Sequence, residues 1–237
     1  MILVIAGRNP TKLLLNDGIQ LYAPKNHPLI EMVFDIYIQN IYSSTDFKIE
    51  QNDIIIDVGA NIGIFSLFAA NKTHNLVYAY EPFDMNIKYL RHNIKTNGVK
   101  NIVVNEVAVS DNIGNEYLFL TRNPAGNILH KQKTDNKNQI EVPTTTLQAI
   151  FEKNNINQVG FLKMDCEGSE GVILISTPIR YLKKIKKIVI EFHDNVSVLK
   201  HHEIQNLLKE AGFSTSLTWD NKTPYGFIYA YLDENRC

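Results

Sequence analysis

The chain has few cysteines, almost no net charge and no long hydrophobic run among its 237 residues. Its two cysteines, Cys166 and Cys237, are too few and too far apart for a disulfide framework or a zinc site, so we expect a reducing, cytoplasmic location. A formal net charge of −1 gives no bulk attraction to nucleic acid or to an anionic membrane. No segment approaches the roughly 20 apolar residues that a membrane-spanning helix needs. Residues 1–6 are apolar but too short for a signal peptide, and we interpret them as a strand.

Short apolar runs alternate with segments of helical periodicity from residue 53 onward. This alternation is typical of a mostly parallel sheet with helices on both faces, so we predict a Rossmann-like α/β fold. Continuous apolar runs suit strands that are buried on both faces. They predict strands at residues 54–58, 76–80, 102–105, 161–164 and 188–192. Residues 213–219 and 226–232 are predicted to form an antiparallel pair that closes one edge of the sheet.

The first 50 residues differ from the rest of the chain. They contain a predicted strand at 19–23 and a predicted helix at 29–41, with hydrophobic anchors but no glycine-rich turn. We therefore expect residues 1–50 to form a cap packed on a cofactor-binding domain of residues 51–237. The polar segment 121–139 is predicted to be a mobile loop over the site.

A glycine turn follows the first predicted strand of the sheet and leads directly into an apolar helix. Its sequence is Asp57-Val58-Gly59-Ala60-Asn61-Ile62-Gly63. Glycine lets a ligand approach the backbone, and ligands of open α/β sheets lie beyond the carboxyl ends of such strands. A dinucleotide site would use G-x-G-x-x-G, but the middle glycine is missing here and an acid precedes the turn. The pattern favours a ligand with a cationic amino-acid end and disfavours a dehydrogenase.

Two further observations narrow the ligand. No G-x-x-x-x-G-K-[ST] sequence is present, which argues against nucleoside triphosphate hydrolysis. Glu81 ends the second predicted strand, where a carboxylate can accept hydrogen bonds from both hydroxyls of a ribose. The alternative is a solvent-facing glutamate before Pro82. The glycine turn in the same region favours the ribose role.

Taken together, these motifs resemble the FkbM-type methyltransferases. The resemblance is carried by residues 47–66, by Ala79-Tyr-Glu81-Pro82-Phe-Asp-Met-Asn86, by Ala108-Val-Ser110-Asp111, by Thr146-Leu147 and by Leu162-Lys-Met-Asp165-Cys-Glu167-Gly168-Ser-Glu170. It spans about residues 40–232. It implies a class I methyltransferase fold, S-adenosylmethionine as the methyl donor and, usually, a hydroxyl oxygen as the acceptor.

The resemblance also implies roles for individual residues. Glu81 would bind the ribose, and Asp165 would close the cofactor site from the fourth strand. The remaining residues would surround the methionine end (Asp57, Gly59, Asn61 and Gly63) or line the adenine (Val107 and Ala108).

Methyl transfer to oxygen requires an aligned acceptor and a group that removes its proton. The base must lie at the carboxyl ends of the strands, and residues 165–167 and 191–195 qualify. His193 titrates near neutrality, so we predict it to be the catalytic base; the alternative is a loop histidine with a structural hydrogen bond. Asp165 is predicted to position the acceptor or the ammonium group of the donor. The alternative is a cap for a helix near residues 167–175.

A second mechanism would use a metal ion. Asp165, Asp194 and Asn195 offer the oxygen ligands that Mg²⁺ prefers, and Mg²⁺ would lower the pKa of the acceptor hydroxyl. An Asp-Asn pair in a loop is commonly a turn former, however. We therefore favour a site without a metal.

The favoured function is methyl transfer from S-adenosylmethionine to a hydroxyl of a sugar, glycan or other small metabolite. An RNA methyltransferase is the first alternative, but it would need a basic RNA-binding module and the sequence contains none. A non-catalytic S-adenosylmethionine-binding protein is the second. It would be expected to lose the glycine turn or the ribose acid, and both are intact.

Overall fold

The computed structural model describes residues 4–5, 11–43, 47–121, 126–132 and 138–233. The strands, in chain order, are β1 Val4–Ile5, β2 Lys12–Leu14, β3 Gln20–Tyr22, β4 Ile55–Val58, β5 Val77–Tyr80, β6 Ile102–Asn105, β7 Ala108–Val109, β8 Gly114–Phe119, β9 Ile128–His130, β10 Gln139–Thr145, β11 Val159–Met164, β12 Ile185–His193, β13 Phe213–Thr218 and β14 Tyr225–Leu232. The α-helices are α1 Leu29–Val33, α2 Ile64–Ala70, α3 Asp84–Thr96, α4 Leu147–Lys153, α5 Glu170–Ser176, α6 Ile179–Leu182 and α7 His201–Glu210.

A seven-stranded sheet in the order β13-β14-β12-β11-β4-β5-β6 forms the centre of the molecule. The neighbours from β12 to β6 are parallel, whereas β14 runs antiparallel to both β12 and β13. Strands β4, β5 and β11 are buried along their whole length, as expected for strands covered by helices on both faces. The predicted Rossmann-like fold and the antiparallel pair at its edge are confirmed.

A second sheet of four short strands, in the order β7-β10-β8-β9, stands beside the central sheet. Strand β10 is parallel to β7 and antiparallel to β8, and β9 completes the sheet at the other edge of β8. The expectation that 121–139 is a loop is therefore wrong in part, because residues 128–130 pair with β8 and β10 begins at Gln139. Its residues 122–125 and 133–137 lie outside the described residues.

The N-terminal segment contributes a three-stranded antiparallel sheet, β1-β2-β3, and one helical stretch. Helix α1 continues directly as a π-helix, Phe34–Gln39, and ends at Asn40, whose φ is 52°. Of the predicted strand at 1–6, only residues 4 and 5 are described. Apolar side chains between residues 13 and 49 share one cluster with β4, α2 and Phe161, so this segment completes a face of the core. The division at residue 50 remains a prediction. No helix in the described ranges is long and apolar enough to cross a membrane.

Candidate active site

Two cavities open at the carboxyl ends of the central strands. The first lies between the turn after β4, the end of β5, the second sheet and the loop after β11, and its space of about 590 Å³ is partly open to solvent. The second lies between the N-terminal helical stretch, the ends of β12 and β14, and the same loop, and its space of about 1110 Å³ is also partly open to solvent. Asn61, Asp165 and Glu167 line both cavities. These three residues therefore mark the place where two bound molecules would meet.

The glycine turn is shaped by its protein neighbours. Gly59 has a φ of +77°, and a Cβ atom there would lie 1.8 Å from the backbone oxygen of Asp165. Gly63 has a φ of +87°, and its Cβ would lie 2.3 Å from Cδ1 of Leu90 on α3. The loop after β11 excludes a side chain at Gly59, which also lines the first cavity, and Leu90 of α3 lies where a side chain at Gly63 would be.

Glu81 lies in the wall of the first cavity and is 6% exposed. Its carboxylate accepts hydrogen bonds from the backbone N–H of Asn61 (2.8 Å) and Phe83 (3.0 Å) and from Nδ2 of Asn86 (3.2 Å). Burial raises the pKa of Glu81 to about 6, although these hydrogen bonds oppose the shift. The group is therefore a carboxylate at neutral pH, and its Oε2 already accepts a hydrogen bond from the glycine turn at Asn61.

Lys163, which the sequence analysis did not single out, is buried beside the turn. Its Nζ lies 3.2 Å from Oδ1 of Asp57 and 3.6 Å from Oδ2 of Asp165, and it donates to the carbonyl oxygen of Gly59 at 2.8 Å. Burial alone would lower the pKa of Lys163, but the two carboxylates outweigh burial and hold it above its ordinary value. Asp57 also accepts a hydrogen bond from Ser66 (2.6 Å) and lines neither cavity. Asp57 thus binds Lys163, and Lys163 in turn holds the carbonyl oxygen of Gly59 in the glycine turn.

Asp165 is linked to Glu191 through the hydroxyl of Tyr42. The hydroxyl oxygen lies 3.0 Å from Oδ2 of Asp165 and 2.7 Å from Oε2 of Glu191. Burial, reinforced by the charge of Asp165, raises the pKa of Glu191 to about 8. The Tyr42 hydroxyl has one proton, which it can donate to either carboxyl group, and it links the two side chains in this way.

Glu167 and His193 form an ion pair next to this group. His193 Nε2 lies 3.6 Å from Oε2 of Glu167, and Nδ1 lies 3.4 Å from Oε1 of Glu170. Burial would lower the pKa of His193, but Glu170 and the neighbouring acids raise it to about 10. Burial raises the pKa of Glu167 to about 7, with His193 opposing the shift. The expected titration of His193 near neutrality is thus corrected. Glu167 faces both cavities, and His193 lines neither.

The far end of the first cavity is mostly apolar. Ala108, Leu118 and Leu129 line it, whereas Val107 packs against the core and is not part of the wall. Asn127 adds a polar group. Its Oδ1 accepts from the backbone N–H of Thr121 at 2.9 Å, and its buried Nδ2 has no hydrogen-bond partner within the described chain. An apolar slot with an unused amide donor fits a flat heteroaromatic ring that offers an acceptor atom.

The structure does not favour the residues predicted for the alternative Mg²⁺ site. Both carboxylate oxygens of Asp194 bind His201 at the start of α7, at 2.8 Å to its backbone nitrogen and 2.6 Å to its ring. Asn195 lines neither of the two cavities. Among the described histidine, cysteine, aspartate and glutamate residues, one group of three, Asp165, Glu167 and His193, has its ligand atoms within 4.8 Å of one another. The two hydrogen bonds to His201 argue against the Asp165, Asp194 and Asn195 set, which stays a prediction. Since both nitrogens of His193 face carboxylates, the new trio suits a protonated imidazole better than a metal ligand.

Comparison with known proteins identifies the family. The family model described as "Methyltransferase FkbM domain" matches residues 57–215, more than half of the chain. The chain belongs to the FkbM methyltransferase family. The predicted resemblance and the methyltransferase activity are thereby confirmed, and the FkbM domain runs from the glycine turn into β13.

Two known methyltransferases are similar to about three quarters of the chain. It is 27% identical over 210 residues to the 31-O-demethyl-FK506 methyltransferase FkbM of Streptomyces tacrolimicus, covering 76% of this chain and 80% of the relative. It is 25% identical over 173 residues to the hexuronic acid methyltransferase AglP of Haloferax volcanii, with 73% and 68% covered. The crystal structure of a methyltransferase FkbM from Methylobacillus flagellatus KT superposes with a TM-score of 0.53 at 19% identity. That match covers 77% of this chain and 44% of the other, and it supports the fold alone.

Proposed function

We propose that the chain transfers a methyl group from S-adenosylmethionine to a hydroxyl oxygen of a sugar, glycan or other small metabolite. The observation that carries this proposal is the meeting of two cavities at Asn61, Asp165 and Glu167. A two-substrate transfer requires a donor and an acceptor that approach each other end to end. The two cavities provide that arrangement.

The first cavity fits the donor. Glu81 would accept a ribose hydroxyl on the one lone-pair site that its three protein hydrogen bonds leave free, since a carboxylate has about four such sites. Ala108, Leu118 and Leu129 would hold the adenine, with the amide of Asn127 as a donor to a ring nitrogen. Asn61 and Asp165 would hold the amino-acid end, and the carboxylate of Asp165 suits its ammonium group.

Proton removal falls to Glu167 in this arrangement. When bound, S-adenosylmethionine supplies a methyl group on a positively charged sulfur, and its transfer to a hydroxyl leaves a neutral thioether and releases the hydroxyl proton. Glu167 faces both cavities and has a pKa of about 7, so near neutral pH its carboxylate can accept that proton. His193 stays protonated up to about pH 10 and stabilises the carboxylate form of Glu167. His193 is therefore a positioning residue here, whereas the sequence analysis predicted it to be the base.

The relatives support oxygen as the acceptor atom. One is named for a 31-O-demethyl compound and another for a hexuronic acid, so one name points to oxygen and the other to a sugar. The second cavity also disfavours RNA. Four carboxyl side chains line it and no described lysine, arginine or histidine does, so it offers no cation to a phosphate backbone.

The proposal is tested by incubating the chain with methyl-labelled S-adenosylmethionine and separate pools of small metabolites, glycans and tRNA. We expect label in the small-metabolite or glycan pool, in a product whose methyl group resists alkali as an ether does. A Glu106→Gln variant, changed at an exposed glutamate 51% accessible at the surface, should label as well as the unchanged chain. Label in tRNA alone, or an alkali-labile methyl ester, would contradict the proposal.

A further inference from the structure

The second cavity has an unusual charge distribution. Four carboxyl side chains line it: Asp35, Asp165, Glu167 and Glu191. No lysine, arginine or histidine is part of its described wall. An anionic group that entered would lose its hydration and would find carboxyl groups but no cation to pair with.

The two cations nearest to this wall are already paired. Lys163 is held between Asp57 and Asp165 and is almost fully buried. His193 is held between Glu167 and Glu170, at 3.6 Å and 3.4 Å. A bound acid would have to draw one of these cations away from two carboxylates. The wall therefore offers no free positive charge to an acidic acceptor.

The rest of the wall suits a polyhydroxyl compound. Tyr42, Tyr225, Phe227 and Tyr229 line the cavity, and Tyr225 is 48% exposed. Aromatic faces pack against the C–H faces of a sugar ring, and the carboxylates accept hydrogen bonds from its hydroxyls. Asp35, on the π-helix, is half-buried and bonded to Gln39 (2.6 Å), which also lines the cavity. It adds an acceptor on the N-terminal side.

We propose that the second cavity takes a saccharide that carries no acidic group. This inference rests on the proposed function and names the chemical class of its acceptor. It separates this chain from its relative named a hexuronic acid methyltransferase, whose acceptor bears a carboxylate. The distinction comes from the wall of the cavity, where a hexuronate would need a cation.

The test uses the full chain, methyl-labelled S-adenosylmethionine and three matched probes: methyl glucoside, methyl glucosaminide and methyl glucuronide. We expect the glucoside or the glucosaminide to be methylated at least about tenfold faster than the glucuronide. Equal or faster methylation of the glucuronide would overturn the inference, and so would failure of all three probes. Binding of S-adenosylhomocysteine is measured in the same samples. If it binds while every sugar fails, only the saccharide inference is lost; if it does not bind, the proposed function is lost.

A charge-reversal pair sharpens the test. Asp35→Lys places a cation in the second cavity, whereas Glu31→Lys makes the same change on α1 at an exposed position outside it. We expect Asp35→Lys to raise the ratio of glucuronide to glucoside methylation by about tenfold, and Glu31→Lys to leave it unchanged. Equal ratios in both variants, with unchanged melting temperatures, would show that the charge of this wall does not select the acceptor.

Discussion

Glu167 is held in an uncommon backbone conformation. Its φ is 52°, in the left-handed region, and Gly168 follows with a φ of 102°. Backbone N–H groups of Cys166 and Gly168 donate to the buried carboxylate of Glu170, which fixes this loop. A non-glycine residue in this region costs about 1–3 kcal/mol, a cost that proteins concentrate at functional sites. Here the conformation aims the Glu167 carboxylate at the junction of the two cavities.

The pH dependence of turnover should report Glu167. The carboxylate must be ionised to accept a proton, so the rate should rise with pH through about 7 and then level off. Glu167→Gln should lower turnover by about 10² to 10⁴-fold, with unchanged affinity for S-adenosylhomocysteine.

His193→Asn provides the control for this assignment. It removes the cation that lowers the pKa of Glu167, so the rise in rate should move to higher pH. Initial rates of methyl transfer between pH 5.5 and 9 would measure both effects. If Glu167→Gln kept full activity while His193→Asn abolished it, the histidine would be the base after all.

A second prediction concerns Glu81. Glu81→Gln should weaken S-adenosylhomocysteine binding by roughly tenfold or more, because charge-assisted hydrogen bonds contribute about 1.5–3 kcal/mol. It should also lower the melting temperature, since an NH₂ group would replace an oxygen that accepts from Asn61 or Phe83. Asp84→Asn, at an exposed acid three residues away, should change neither quantity. Calorimetry measures the affinity for S-adenosylhomocysteine, and thermal melts measure the stability. An unchanged affinity together with a lowered melting temperature would show that Glu81 has only a structural role.

The positions of several site residues could be predicted from the sequence, whereas their partners could not. Glu81, Asn61 and Asp165 end strands or begin turns, and that pattern places them at one edge of the sheet. Lys163 lies inside the buried strand β11. This strand was predicted from its apolar residues, and that pattern gives no role to a charged side chain. The sequence does contain a signal for this residue: a single lysine in a strand expected to be fully buried, with Asp165 at the end of the same apolar run and Asp57 in a neighbouring one. Tyr42 joins the site through a contact 123 residues away in sequence, which no local pattern reveals.

At the scale of elements, the loop after β11 lies directly against the glycine turn. A Cβ at Gly59 would overlap the Asp165 backbone, which cannot swing aside like a side chain. Gly59→Ala should therefore lower stability by about 1–3 kcal/mol beyond the cost of its positive φ, and should abolish S-adenosylhomocysteine binding. Gly98→Ala is the matched control, because Gly98 also has a positive φ (63°) but has open space around its Cβ position. Equal melting temperatures for the two variants would contradict the close approach.

The second sheet is the element that sequence analysis missed. Its strands are short, and the buried residues of β8 and β10 include the polar Glu116 and Thr144 besides Leu118 and Val142, so neither strand is a continuous apolar run. Pro143 within β10 and the polar residues around Ile128 favour a loop interpretation. The sheet forms because β10 pairs with β7 and β8 at once, a long-range arrangement. The central strands, in contrast, are continuous apolar runs, and these were predicted to within a few residues.

At the scale of the whole molecule, the N-terminal segment shares its core with the central sheet. Phe47 is 6% exposed, and its ring packs against Phe161 of β11 and Tyr229 of β14 at 5.4 Å between centroids. The hydroxyl of Tyr229 donates to the carbonyl oxygen of Ile41 at 2.6 Å. We therefore expect the segment before residue 50 and the methyltransferase domain to unfold together.

Phe47→Ala tests this expectation. Removing a buried phenylalanine costs about 3–5 kcal/mol, so the whole chain should melt at a lower temperature in a single transition. Phe34→Ala, on the same segment but 47% exposed, should change stability by less than about 0.5 kcal/mol. Circular dichroism and calorimetry would follow both melts. Two separate transitions, with the second one unaffected by Phe47→Ala, would show that the segment folds apart from the sheet.

The central claim is that the first cavity binds the methyl donor, and calorimetric titration with S-adenosylhomocysteine tests it most directly. The geometry of Glu81, Asn127 and the apolar slot predicts a dissociation constant in the micromolar range, about −8 kcal/mol, with no comparable heat from NAD. Tight NAD binding together with no S-adenosylhomocysteine binding would contradict it.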